Sequence, residues 1–214
     1  MSKFTRIGYG QVEPNQLSAQ KTGQIYASLA LAKDVKVLQN GEFMFYDYVT
    51  NSVSADDSTG VAEPMLVFNE VKIYEDHLSY KDFAMIRVGD NYVTSRPAIG
   101  TITTANADGT VYGDGALNEG VNANPAHVEY GYRMDGFAPR LFKTNIGDIY
   151  TTNMVETDVE YAVGDLLAPK KNAESKTMVL GKAAEAANEK MLWAVVKVYT
   201  MPDGQPGLKL QRVK

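Results

Sequence analysis

The apolar residues of this chain recur mostly at every second position, in short runs rich in β-branched and aromatic side chains and bounded by Gly, Pro, Asn and Asp. Successive side chains on a strand point to opposite faces, so a period of two with punctuated ends predicts strands rather than helices. Ile25, Ala27, Leu29 and Leu31 would share one face of an extended segment over residues 24–32. A helix starting at Ser18 competes for part of that stretch and is weakened by Gly23 in its middle. Residues 35–39 and 42–48 flank Asn40-Gly41. Both residues tolerate positive φ, as a two-residue type I′ turn requires, so this spacing predicts a hairpin. Further strands are expected at 65–74, 83–88, 141–143, 148–154, 159–167, 177–180 and 190–200, and the turn 201–207 (MPDGQPG) leads into another at 208–213. Residues 183–190 (AAEAANEK) are the one stretch of plain helix composition and are expected as a short helix.

These elements predict a mainly β fold, an antiparallel β-barrel or sandwich rather than a βαβ sheet. The chain divides into four parts. Residues 1–16 read as an extended N-terminal arm, in which Phe4, Ile7, Tyr9 and Val12 are spaced by polar residues, Gly8 and Gly10, before Glu13-Pro14-Asn15 breaks the run. Residues 17–88 form an N-terminal β region. Residues 89–136 change character, with Asn-Ala-Asp-Gly, Gly-Asp-Gly and Asn-Ala-Asn-Pro and little periodicity. A loop this long is uncommon in a compact domain, so it reads as a Gly/Asn-rich insertion, with 111–112 and 127–132 as a candidate pair of short strands. Order returns over 137–214, a C-terminal β-barrel-like region. A Gly-Asp echo at 88–94 and 146–152 reads as a turn before a strand, not a repeat.

Chemistry-bearing patterns are sparse. The chain has no cysteine, which excludes disulfides, Cys-ligated zinc, iron–sulfur clusters and a thiol nucleophile. His77 and His127 stand apart from any ligand spacing, and no G-x-S-x-G elbow or G-x-G-x-x-G loop is present. Glu70, Glu75 and Asp76 are unconstrained candidates for an acid–nucleophile pair. Asn106, Asp108, Asp114, Asn118 and Glu119 offer oxygens to calcium but lack the EF-hand spacing. Lys209, Arg212 and Lys214 read as a solvated, aggregation-resistant strand edge, and Trp193 with Tyr199 as core. The net charge of −5 argues against coating nucleic acid, and apolar runs such as 191–196 fall short of the ~18 residues of a membrane span. No apolar segment follows the basic start, so no secretion signal is expected. The expectation is a non-enzyme without cofactor or metal.

Residues 4–20 (FTRIGYGQVEPNQLSAQ), 140–153 (RLFKTNIGDIYTTN) and 193–210 (WAVVKVYTMPDGQPGLKL) are similar to segments of tailed-bacteriophage virion proteins. The chain resembles head-associated structural proteins of the capsid decoration or cement type, with the similarity weakest over 89–136. The resemblance implies a virion protein, assembled in the host cytoplasm, many copies of which bind the outer face of the capsid. There they would bridge major capsid subunits by many modest contacts summed on a fixed lattice. It further implies self-association, as trimers at quasi-threefold positions, and no direct nucleic-acid or membrane partner. Phe4, Arg6, Ile7 and Tyr9 are then the candidate partner-binding residues, the three apolar ones filling pockets or adding a strand to a neighbour's edge and Arg6 meeting a carboxylate. A frayed terminus is the plain alternative. The rival function is a carbohydrate- or receptor-binding β module of a head fibre or other appendage, using Tyr112, Tyr130 and Tyr132 with Asn122 and Asn124.

Overall fold

A computed structural model describes residues 3–6, 8–35, 37–69, 138–202 and 204–214, together with the backbone of three strands at 85–87, 91–94 and 130–133. Its elements in chain order are β1 (Val12–Gln16), α1 (Ser18–Thr22), β2 (Ile25–Tyr26), β3 (Ala30–Leu31), β4 (Val37–Gln39), β5 (Phe43–Asp47), β6 (Ser52–Ser54), β7 (Met65–Val67) and β8 (Met85–Arg87). There follow β9 (Asn91–Thr94), β10 (Tyr130–Arg133), β11 (Leu141–Phe142), β12 (Ile149–Thr152), β13 (Leu166–Lys171), β14 (Met178–Lys182), β15 (Trp193–Thr200) and β16 (Pro206–Arg212).

The fold is mainly β, as expected. One antiparallel path runs β1-β12-β16-β15-β13-β14-β5-β7-β11-β2 and curls into a half-barrel, with β6 added to β5 and β3 parallel to β6. The ladder β15–β16 is the longest, from Trp193 opposite Arg212 to Thr200 opposite Pro206, with one bulge between Val195 and Lys197. Inside the curl, Trp193 is fully buried against Phe43 and meets Tyr150 edge-on at 4.8 Å between ring centroids. Such edge-to-face pairs add to plain burial because a positive ring edge meets a negative face.

Several local expectations are corrected. Residues 39–42 do turn, with the Glu42 amide donating to the Gln39 carbonyl, but no hairpin follows: β4 pairs with β8 and β5 with β7, β6 and β14. Only Gly41 has positive φ, at 93°, so the turn resembles type II rather than the type I′ that would fold two strands onto each other. The Asn40 side chain instead pairs with the Asn69 backbone, accepting from its amide at 2.8 Å and donating to its carbonyl at 3.1 Å.

Residues 183–190 are turns, not a helix. Eight residues with no buried side chain have nothing to dock on, and an isolated helix that short is not stable. Conversely the short helix α1 does form, and Gly23 ends it in the left-handed conformation (φ 71°). The strand expected over 24–32 is split into β2 and β3, with Ala27 exposed between them. Over 159–167 the strand begins only at Leu166. Glu13-Pro14-Asn15 does not break the arm but lies within β1, which is possible because β1 is an edge strand whose register with β12 is irregular between Glu13 and Gln16. In the insertion, β10 pairs with β9, while residues 111–112 lie outside the described residues.

Candidate functional site

The N-terminal segment lies across the sheet and is held there by side chains of the C-terminal half. Asn153 accepts from the Gln11 amide at 2.7 Å and donates to the Tyr9 carbonyl at 2.9 Å and to Gln205 at 2.9 Å. Gln39 accepts from the Gly10 amide at 2.7 Å. The crossing demands glycine: a Cβ on Gly10 would stand 2.3 Å from the Asn40 carbonyl oxygen. Further along, Phe4 exchanges backbone hydrogen bonds with Val159 and Asp158, both at 2.8 Å, and its buried ring meets Tyr161 edge-on at 5.8 Å.

Between these anchors a cleft of about 400 Å³ opens, lined by Arg6, Gln39, Glu42, Met154, Glu156 and Ser175. That volume lies in the range of small-ligand sites. The loop between β13 and β14 forms one wall. Asn172 caps it by accepting from the Glu174 and Ser175 amides at 2.9 and 3.2 Å. Because Met178 pairs with Phe43, the loop sets Thr177 beside Glu42.

Glu42 is almost fully buried yet bonded at both oxygens, by the Gln39 amide and the Thr177 hydroxyl, each at 2.7 Å. Burial pushes its carboxyl up to about 7, against the pull of those two bonds and of the Arg6 charge. Thr177 has one proton and gives it to Glu42, so Ser175, 2.7 Å away, donates to Thr177. Arg6 is half-buried. Its guanidinium touches the Met154 sulfur, burial lowers its pKa, and Glu42 raises it without forming an ion pair among the described residues. At the mouth Glu156 pairs with Lys170 at 3.5 Å.

Of the four residues expected to bind a partner, the structure places Phe4 in the chain's own core and Arg6 in the cleft. Tyr9 is half-buried on the stitched segment, and Ile7 lies outside the described residues. The sequence reading missed Glu42, Ser175 and Thr177. The only signal was a carboxylate heading an apolar strand, and the two hydroxyls of its relay stand more than 130 positions away. His77, His127, Glu70, Glu75, Asp76, Tyr112, Asn122, Asn124 and the five calcium candidates lie outside the described residues, and Tyr130 and Tyr132 are described in backbone alone. Among the described residues no group of three or more acidic or imidazole side chains is placed to hold a metal.

A second surface is the outward face of β15 and β16. Lys197 and Lys209 stand directly opposite each other, and among the described residues neither has an ion-pair partner. Tyr199 lies opposite side-chain-free Gly207 and its hydroxyl donates to Glu13 on β1 at 2.6 Å, with the Lys197 ammonium 5.6 Å from its ring. The expectation that Tyr199 lies in the core with Trp193 is therefore corrected. Nor is Arg212 a solvated edge residue: it is buried, bonded to Thr144 and the Lys214 carbonyl, and paired with Glu63 at 3.0 Å. No protein-family model, curated protein or solved structure matches the chain.

Proposed function

We propose that this protein is a virion structural protein that binds the outer surface of an assembled phage capsid and stabilises it by bridging major capsid subunits. One observation carries the reading. The three segments that resemble phage head proteins are far apart in sequence, yet they supply β1, β12, β16 and β15, four consecutive strands of one sheet. The resemblance thus falls mainly on one continuous slab, with β11 from the same segments at the other end of the sheet. The slab's outward face bears Lys197 and Lys209, neither ion-paired among the described residues, with the exposed Val196 beside them at the bulge. A surface of cations beside apolar side chains suits an acidic protein lattice, and repetition over the lattice multiplies a weak contact. Phe4 then serves the fold of the single chain, and the capsid contact moves from the arm to this face.

The test mixes the purified protein with expanded empty capsids of the parent phage, sediments them and counts bound copies. The expected result is saturable binding at a multiple of the lattice sites, with greater resistance of the capsid to heat. Exchanging both lysines for glutamate (K197E with K209E) should lower the number of copies bound while leaving the far-ultraviolet circular dichroism unchanged. Absence of co-sedimentation overturns the reading. Deleting residues 1–16 is the wrong experiment, because it removes a core aromatic and a sheet strand together.

A further inference from the structure

A guanidinium carries five N–H donors, and the thioether of Met154 is the one acceptor that Arg6 touches among the described residues. Thioether sulfur is a weak acceptor, so the donors that face the cleft lack the oxygen partner a half-buried Arg ordinarily finds. The wall opposite is built of hydroxyls whose direction can change. With Glu42 ionised, protons run from Ser175 to Thr177 to Glu42. With Glu42 protonated, its own O–H donates to Thr177, Thr177 donates to Ser175, and the Ser175 O–H turns free toward the cleft. Both states keep every bond of the relay, so the cleft changes its donor pattern without moving a backbone atom.

We propose that the cleft is a carboxylate-binding site in which the Arg6 fork and the Ser175 hydroxyl hold the ligand, and Glu42 takes up a proton as it enters. The occupant is a single carboxylate on a short aliphatic stem. Met154, Val155, Val159 and Val179 offer apolar wall for the stem. Among the lining residues Arg6 is the one cation, beside Glu42 and a Glu156 already paired with Lys170, which favours a monoanion over a phosphate dianion. The charged groups facing Glu42 across the cleft are Arg6 and the Glu156–Lys170 pair, and the β13–β14 loop contributes only neutral Asn172, Ser175 and Thr177. A bound carboxylate competes with Glu42 for Arg6 and repels it, which drives protonation. This site stands apart from the capsid reading and does not depend on it.

The carboxylate can be a free small molecule or a Glu or Asp side chain of another protein, and two probes separate these sources. The full-length chain is titrated with sodium butyrate and with acetyl-Ala-Glu-Ala-amide while the Arg6 Nε–Hε resonance is followed. Binding heats are measured at pH 6 and pH 8 in buffers of different ionisation enthalpy. Saturable shifts with either probe, roughly tenfold tighter at pH 6 than at pH 8, with proton uptake at pH 8, are the expected outcome. Butyrate alone binding identifies a small-molecule ligand, and the peptide binding as well identifies a partner's side chain. R6Q should abolish binding. If it unfolds the chain, S175A should weaken binding and E42Q should erase its pH dependence, because an amide can hold both hydrogen bonds with the relay reversed. Failure of both probes to shift Arg6, equal affinity at the two pH values, or equal binding of inorganic phosphate overturns the proposal.

Discussion

The β15–β16 ladder and the turn at 39–42 solve opposite problems. The ladder registers seven residue pairs across two long strands, buries alternate side chains such as Leu208 and Leu210, and asks of its residues little beyond a period of two. The turn directs its flanking strands to different partners, and every residue in it is specific: Gln39 receives Gly10, Asn40 pairs with Asn69, Gly41 takes a left-handed φ, and Glu42 is buried beside Thr177. A regular ladder tolerates substitution because each pair repeats the last. A junction does not, because each side chain there has a partner of its own.

The comparison can be broken first from beneath the ladder. Trp193→Ala empties a fully enclosed site between Phe43 and Tyr150 and should cost about 3–5 kcal/mol in urea unfolding. At the junction, Glu42→Gln should act through pH. The folded carboxyl titrates near 7 against 4.5 as its ordinary value, so the folded state holds the extra proton between those values. Stability from this group is full below 4.5 and falls as pH rises to about 7, by on the order of 3 kcal/mol. The variant should lack that fall, so the difference between the two unfolding curves isolates it from other carboxylates.

Gly41→Ala against Gly147→Ala sharpens the contrast further. Both glycines have φ near 94° (93° and 94°), but a Cβ at 41 would meet Thr152 Oγ1 at 2.5 Å and Met154 Cβ at 2.6 Å, whereas at 147 it meets open space. Thermal unfolding should register about 2–3 kcal/mol for the first and about 1 for the second. The smallest effect belongs to the ladder's surface. Lys209→Glu replaces a like pair across from Lys197 by an opposite pair and should raise stability by about 0.5 kcal/mol at low salt, fading as salt is added.

What was legible in the sequence follows the same division. Strands β12, β15 and β16 and the turn between the last two are visible as period-two runs with Gly and Pro between them, because their geometry is local. The position of the turn at Asn40-Gly41 was legible too, but not its consequence. Asn40 is chosen there for an amide that mimics a strand's backbone toward Asn69, a partner 29 residues on, and not for its tolerance of positive φ. Glu42 was hidden for the same reason. Its raised carboxyl comes from burial, and the groups that pull against that rise from a distance, Thr177 and Arg6, lie in no window of sequence around residue 42. Pro14 misled in the other direction, since a residue that breaks an inner strand is harmless on an edge.

The seating of the N-terminal segment also has a consequence for synthesis. Phe4 needs Val159, Gln11 needs Asn153, and Asn153 is fixed in turn by Gln205, so residues 4–11 find their places only after residues 153–205 have been made. At ~5–20 residues per second this leaves β1 waiting on the order of ten seconds for its partners. During that interval Phe4 and the edge of β1 are open to any other chain emerging nearby. In a polysome making many copies of one message, the nearest such chain is another copy of itself, so the order of synthesis exposes this protein to strand exchange between siblings before each has closed on its own β1.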